Sequence, residues 1–61
     1  MEFIENEYYD EVFKDLNLQG ETLSSKEFDN CIFENCIFNE TILEYCKFTH
    51  NLFLLIFQFK L

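Results

Sequence analysis

One bulky apolar side chain stands at every fifth position of this chain: Phe13, Leu18, Leu23, Phe28, Phe33, Phe38, Leu43, Phe48 and Phe53 follow one another without a gap. Phe3 and Tyr8 extend the register backwards, and before residue 52 only Leu16, among the Phe and Leu residues, falls outside it. Neither regular period produces this. An α-helix turning 100° per residue scatters positions spaced by five around its circumference, and a strand of period two sends alternate members to opposite faces. A backbone that bends once every five residues keeps them all on the inside.

A second position follows the same beat. Two residues before the bulky side chain stand Cys31, Cys36, Thr41 and Cys46, each small enough to point inward beside a large neighbour. Large and small side chains therefore alternate along the interior. Such a repeat must be recognised before any helix or strand is assigned, because it organises the whole chain.

Composition agrees with a folded repeat. The 61 residues make at most one domain, too small for bulk burial alone to stabilise well, yet 49% are hydrophobic, nine are Phe, and there is no Pro. This is too apolar for a disordered segment. The formal charge is −8, with four Lys and no Arg, which argues against direct binding to nucleic acid or an anionic membrane. Six of the twelve acids, Glu2, Glu5, Glu7, Asp10, Glu11 and Asp15, lie in the first fifteen residues. No basic stretch followed by an apolar one opens the chain as in a secretory signal. The apolar run from Leu52 is shorter than the about 20 residues a spanning helix needs, so no membrane span is expected.

The units Cys31-Ile32-Phe33-Glu34-Asn35, Cys36-Ile37-Phe38-Asn39-Glu40, Thr41-Ile42-Leu43-Glu44-Tyr45 and Cys46-Lys47-Phe48-Thr49-His50 resemble the pentapeptide-repeat family. That family's pattern is a small residue, a polar one, a central Leu or Phe, and two variable positions. The resemblance is strong over residues 26–53 and weaker over 11–25. It implies an all-β fold, a right-handed quadrilateral β-helix of about two coils with an irregular first coil. Four units complete a coil, so residues twenty apart stack. Phe13, Phe33 and Phe53 then form one inner column, Leu18 and Phe38 a second, Leu23 and Leu43 a third, and Phe28 and Phe48 a fourth.

The departures set the expected boundaries. Glu11, Glu21 and Lys26 occupy small-residue positions, and an unpaired buried charge is costly. The first coil is therefore expected to be open, irregular or a cap through which these side chains reach water. Residues 1–12 read as an acidic lead or cap, 13–53 as the solenoid, and 54–61 as an apolar tail in which the register is lost. A truncated or frameshifted reading frame would account for that tail. The tail is also the candidate surface for end-to-end self-association.

Catalytic and metal chemistry find little footing. Cys31, Cys36 and Cys46 are spaced by the repeat and not by zinc-ligand spacing, so they read as small packed side chains, free and reduced, which favours a cytoplasmic location. His50 takes an outward position with no nucleophile pattern beside it. No enzyme, cofactor or metal is expected.

Two outer features remain as candidate partner surfaces. Glu27, Asp29, Glu34, Glu40 and Glu44 point outward; they serve either solubility or, more sharply, mimicry of a nucleic-acid backbone. Acidic pentapeptide-repeat proteins related to quinolone resistance, which are bacterial, bind type II topoisomerases, and Leu18-Gln19-Gly20-Glu21-Thr22-Leu23 with Asn30-Cys31-Ile32-Phe33 resembles their opening coils. The loops those proteins use to engage the enzyme are absent. Two coils also rise only ~10 Å at strand spacing, against one duplex charge per ~1.7 Å. The second feature is a strip of Val12, Ile32 and Leu52, apolar where the family is usually polar. It reads either as a contact site or as a β-branched preference for strands. The reading reached is a non-enzymatic interaction module with a protein partner, a DNA topoisomerase among the candidates.

Overall fold

A computed structural model describes residues 3–54, and among them the chain is all-β, with no helix. The strands are three residues each: β1 (Glu7–Tyr9), β2 (Val12–Lys14), β3 (Thr22–Ser24), β4 (Glu27–Asp29), β5 (Ile32–Glu34), β6 (Ile42–Glu44), β7 (Lys47–Thr49) and β8 (Leu52–Leu54). All pairing is parallel. One sheet has the order β1-β4-β7, a second β2-β5-β8 and a third β3-β6. A fourth row is reduced to the single bridge Asn17–Ile37. The chain visits these four rows in rotation, and in each the partner lies twenty residues on: Tyr8 faces Phe28, Phe13 faces Phe33, Leu23 faces Leu43, Phe28 faces Phe48 and Phe33 faces Phe53. These match three of the columns expected from the twenty-residue rule, and the fourth, Leu18 with Phe38, is flanked by the Asn17–Ile37 bridge.

The bends that create the period are visible in the backbone. Asp10, Asp15, Ser25, Asn30, Asn35, Glu40, Tyr45 and His50 all have φ between 54° and 58°, and Gly20 has φ 74°. Every fifth residue, two after the inward side chain, is thus left-handed, and each bend turns an extended triplet into the next. Gly, Asn and Asp enter this region at low cost, other side chains at more. In the bridge row the bend is a tight turn, closed by Glu21 N–H to Leu18 O at 3.1 Å and by Thr41 N–H to Phe38 O at 3.2 Å. A turn with positive φ at its third residue favours Gly there, and Gly20 occupies that place in the first of the two.

The interior is built of aromatic stacks. Tyr8, Phe28 and Phe48 stack at 5.4 and 5.1 Å, and Phe13, Phe33 and Phe53 at 5.1 and 5.0 Å, with rings 8–22° apart. The two stacks meet edge to face, Phe28 against Phe33 at 5.3 Å and 71°, a preferred arrangement for ring quadrupoles. Phe28, Phe33, Leu18, Cys31 and Cys36 are fully buried. Burial fades toward the last strands: Leu43 and Phe48 are half-buried and Phe53 is 36% exposed.

A ladder of hydrogen bonds joins the residues around the core. From residue 26 to residue 51, the side chain at the small inward position donates to the carbonyl oxygen 23 residues earlier, that of a bulky residue. Cys31 Sγ reaches Tyr8 O at 3.5 Å, Cys36 Sγ Phe13 O at 3.6 Å, Thr41 Oγ1 Leu18 O at 2.7 Å and Cys46 Sγ Leu23 O at 3.2 Å. Lys26 Nζ makes the same bond to Phe3 O at 3.0 Å, and Asn51 Nδ2 to Phe28 O at 2.9 Å. Smallness is therefore half of what the position requires; a donor is the other half. Lys26 and Asn51 break the size rule and keep the donor rule.

The early residues are more regular than their charges predict. β1 pairs with β4, so strand pairing reaches back to Glu7, inside the segment read as a lead. Glu11 is exposed and Glu21 half-buried; their carbonyl oxygens still accept from Ile32 and Ile42 N–H at 2.9 Å. The side chains leave the interior while the backbone stays in the ladder. Of the tail read as 54–61, on which the expectations of a frameshift and of tail-driven association rest, Leu54 pairs with Glu34 in β8, and residues 55–61 lie outside the described residues.

Candidate functional site

Because each triplet buries its middle side chain, its first and third residues face outward, and stacking at twenty residues collects them into rows. The β2-β5-β8 sheet carries Val12, Ile32 and Leu52 in one row and Lys14, Glu34 and Leu54 in the other. Val12 and Leu52 are each 53% exposed, Leu54 is 41% exposed, and Ile32 between them is half-buried. The strip expected from the sequence is thus continuous along one sheet, and Leu54 widens it. Leu54 went unnoticed in the sequence, although the same twenty-residue rule places it above Glu34.

The acids do not share one surface. Glu27 and Asp29 lie on the β1-β4-β7 sheet, Glu34 on the β2-β5-β8 sheet and Glu44 on the β3-β6 sheet, while Glu40 occupies a bend. Glu27, Asp29 and Glu34 are also only half-exposed. Their nearest grouping adds Glu7, from the N-terminal segment: Glu7 pairs with Glu27, and Tyr9 with Asp29. The Tyr9 hydroxyl donates to Glu7 Oε1 at 3.1 Å. This hydrogen bond raises the Tyr9 phenol above its usual value, followed by desolvation and by the charges of Glu7, Glu27 and Asp29. Lys47 continues the Glu7–Glu27 row and breaks its negative run.

The remaining outward groups brace one turn against the next. Asn30 Nδ2 donates to Asp10 Oδ1, and Asn35 Nδ2 to Asp15 Oδ1, both at 2.7 Å across twenty residues. Ser24 Oγ donates to Glu44 Oε1 at 3.1 Å, so that Glu44 is engaged within the protein. The bends at Asn30 and Asn35 are thus tied to the bends twenty residues earlier.

The three cysteines are free thiols, Cys31 and Cys36 buried and Cys46 half-buried. Burial pushes the Cys36 thiol up, partly opposed by backbone hydrogen bonds. A buried thiol held in its neutral form is a poor nucleophile. Among the described residues no three His, Cys, Asp or Glu stand together as metal ligands would, His50 is an exposed bend residue, and no helix is long and apolar enough to cross a membrane.

No family model matches the chain, and no curated protein matches it significantly.

Proposed function

We propose that this chain is a small solenoid of the pentapeptide-repeat kind, a right-handed coil with four sides, which acts without catalysis by holding a flat face against a protein partner. The observation that carries this reading is the alignment of Val12, Ile32 and Leu52, with Leu54, along one sheet. Apolar side chains held in rows by backbone pairing lose little freedom on docking, which lowers the cost of association. The β2-β5-β8 face offers an apolar centre with Lys14 and Glu34 beside it, and suits a partner that presents an apolar ridge with its own polar rim. A cytoplasmic location fits three thiols used as free hydrogen-bond donors.

A photo-crosslinking residue placed at Val12, compared with one placed at Tyr45, tests the reading. One defined polypeptide captured from position 12 alone, and lost when Leu52→Lys is added, supports it. Equal capture from both positions, or none, removes it.

A second reading, an acidic mimic of DNA that modulates a type II topoisomerase, draws on the grouping of Glu7, Glu27 and Asp29 around Tyr9. The spread of the other acids over separate faces weighs against it. Lack of effect on supercoiling by a purified topoisomerase at high micromolar protein would eliminate it. Self-association through the C-terminal end is the third reading, and a monomer in sedimentation excludes it.

A further inference from the structure

Strand pairing begins at Glu7, and Phe3–Asn6 lie across the N-terminal end of the core without a strand partner. What they cover is aromatic. The Phe3 ring sits edge-on to Tyr8 at 5.5 Å and to Phe13 and Phe28 at 5.3 Å, and it is 8% exposed, whereas the adjacent Ile4 is 89% exposed. The segment therefore buries one side chain and leaves its neighbour in water, as a strap does.

Few bonds hold it. Asn6 O accepts from Glu27 N–H at 2.8 Å, and Glu5 N–H donates to the Tyr8 hydroxyl at 2.8 Å. The rest come from Lys26. Its ammonium makes the ladder bond to Phe3 O at 3.0 Å and, because the side chain is longer than Cys or Thr, also reaches Glu5 O at 2.8 Å and Asn6 Oδ1 at 3.4 Å. An ammonium has three donors and no acceptor, and here three oxygens converge on it. Among the described residues no other ladder side chain binds three oxygens of one segment.

We infer that Phe3–Asn6 is a strap closed over the N-terminal end of the aromatic core, and that the Lys26 ammonium is its clasp. Closed, the strap hides the rings of Tyr8, Phe13 and Phe28 at the end where a further coil would otherwise stack, the capping that solenoid ends require. Open, it bares them. A cation at a ladder position filled later by Cys, Thr or Asn is then a device for ending the solenoid.

Amide hydrogen exchange followed by NMR tests this in the full chain. Lys26→Thr keeps a ladder donor, as at Thr41, but cannot reach Glu5 or Asn6; Lys26→Met keeps the apolar stem and removes the ammonium. In both, the Glu5 and Glu27 amides should exchange at least tenfold faster, while the Ile32 and Ile42 amides, bonded to Glu11 O and Glu21 O, keep their wild-type rates. Wild-type rates at Glu5 and Glu27 would show that the ammonium does not hold the strap. Uniform acceleration at all four amides would make Lys26 a general structural residue, and would equally overturn the proposal.

Discussion

The Thr41 hydroxyl donates to the buried backbone carbonyl of Leu18, 23 residues earlier, at 2.7 Å. It is the shortest bond of the ladder and made by a side chain 6% exposed. Thr41→Val preserves the shape and removes one of two donors to that carbonyl, which still accepts from Glu21 N–H at 3.1 Å, so a loss of about 0.5–1.5 kcal/mol is expected. Thr41→Ser should lose less, since the donor stays. Urea unfolding of the two variants measures the difference, and a loss for Thr41→Ser as large as or larger than that for Thr41→Val would mean that the methyl group, and not the donor, is what the site selects.

Burial along the aromatic stack predicts a graded response. Phe33, 1% exposed and stacked on both Phe13 and Phe53, should lose about 3–5 kcal/mol on truncation to Ala. Against a total of about 5–15 kcal/mol for a whole domain, that approaches global unfolding. Phe53→Ala, at a ring already 36% exposed, should lose clearly less. Phe33→Asp should abolish the fold and Glu34→Lys should not, as circular dichroism would show.

Left-handed bends occupied by unsuitable residues leave room for stabilisation. Tyr45 has φ 55° and is 92% exposed, and Glu40 has φ 58° in the turn position that Gly20 fills one turn earlier. Tyr45→Asn and Glu40→Gly should each stabilise by an amount on the order of 1 kcal/mol, by relieving backbone strain with little packing to lose. At Gly20 an added Cβ meets nothing within 4 Å, so Gly20→Ala should cost only the φ penalty. Thermal melting of these three variants decides whether strain or contact governs the bends.

Titration of Tyr9 reports on the acidic grouping. Its phenol is raised above the ordinary value of 10.0, first by the hydrogen bond to Glu7. Because the folded value exceeds the unfolded one, the associated stability is present in full below the unfolded value and is lost as pH rises through the folded value. Glu7→Gln removes the charged acceptor and should move the Tyr9 tyrosinate absorbance transition downward. An unchanged transition would disconnect the two residues.

Thiol reactivity separates the ladder cysteines. Cys36, fully buried and pushed up by desolvation, and Cys31, 1% exposed, should react with iodoacetamide much more slowly than the half-buried Cys46. Mass spectrometry of timed alkylations reads the order directly, and equal rates would mean that the chain opens faster than the reagent reacts.

Which side chains turn inward was legible in the amino-acid order, from Phe13 to Phe53, because a bend and the alternation around it are local properties and five residues suffice to encode them. The bends themselves carried an overlooked signal: Asp10, Asp15, Gly20, Asn30 and Asn35 are residues that tolerate positive φ, standing at the same beat. The bracing of these residues across turns, the 23-residue ladder, the three oxygens around Lys26 and the dispersal of Glu27, Glu34 and Glu44 onto separate sheets belong to another level. They depend on which triplet lies above which, and a five-residue period alone does not state how many triplets complete a turn. Only the assembled sheets set that number, and with it every contact made across twenty residues or more.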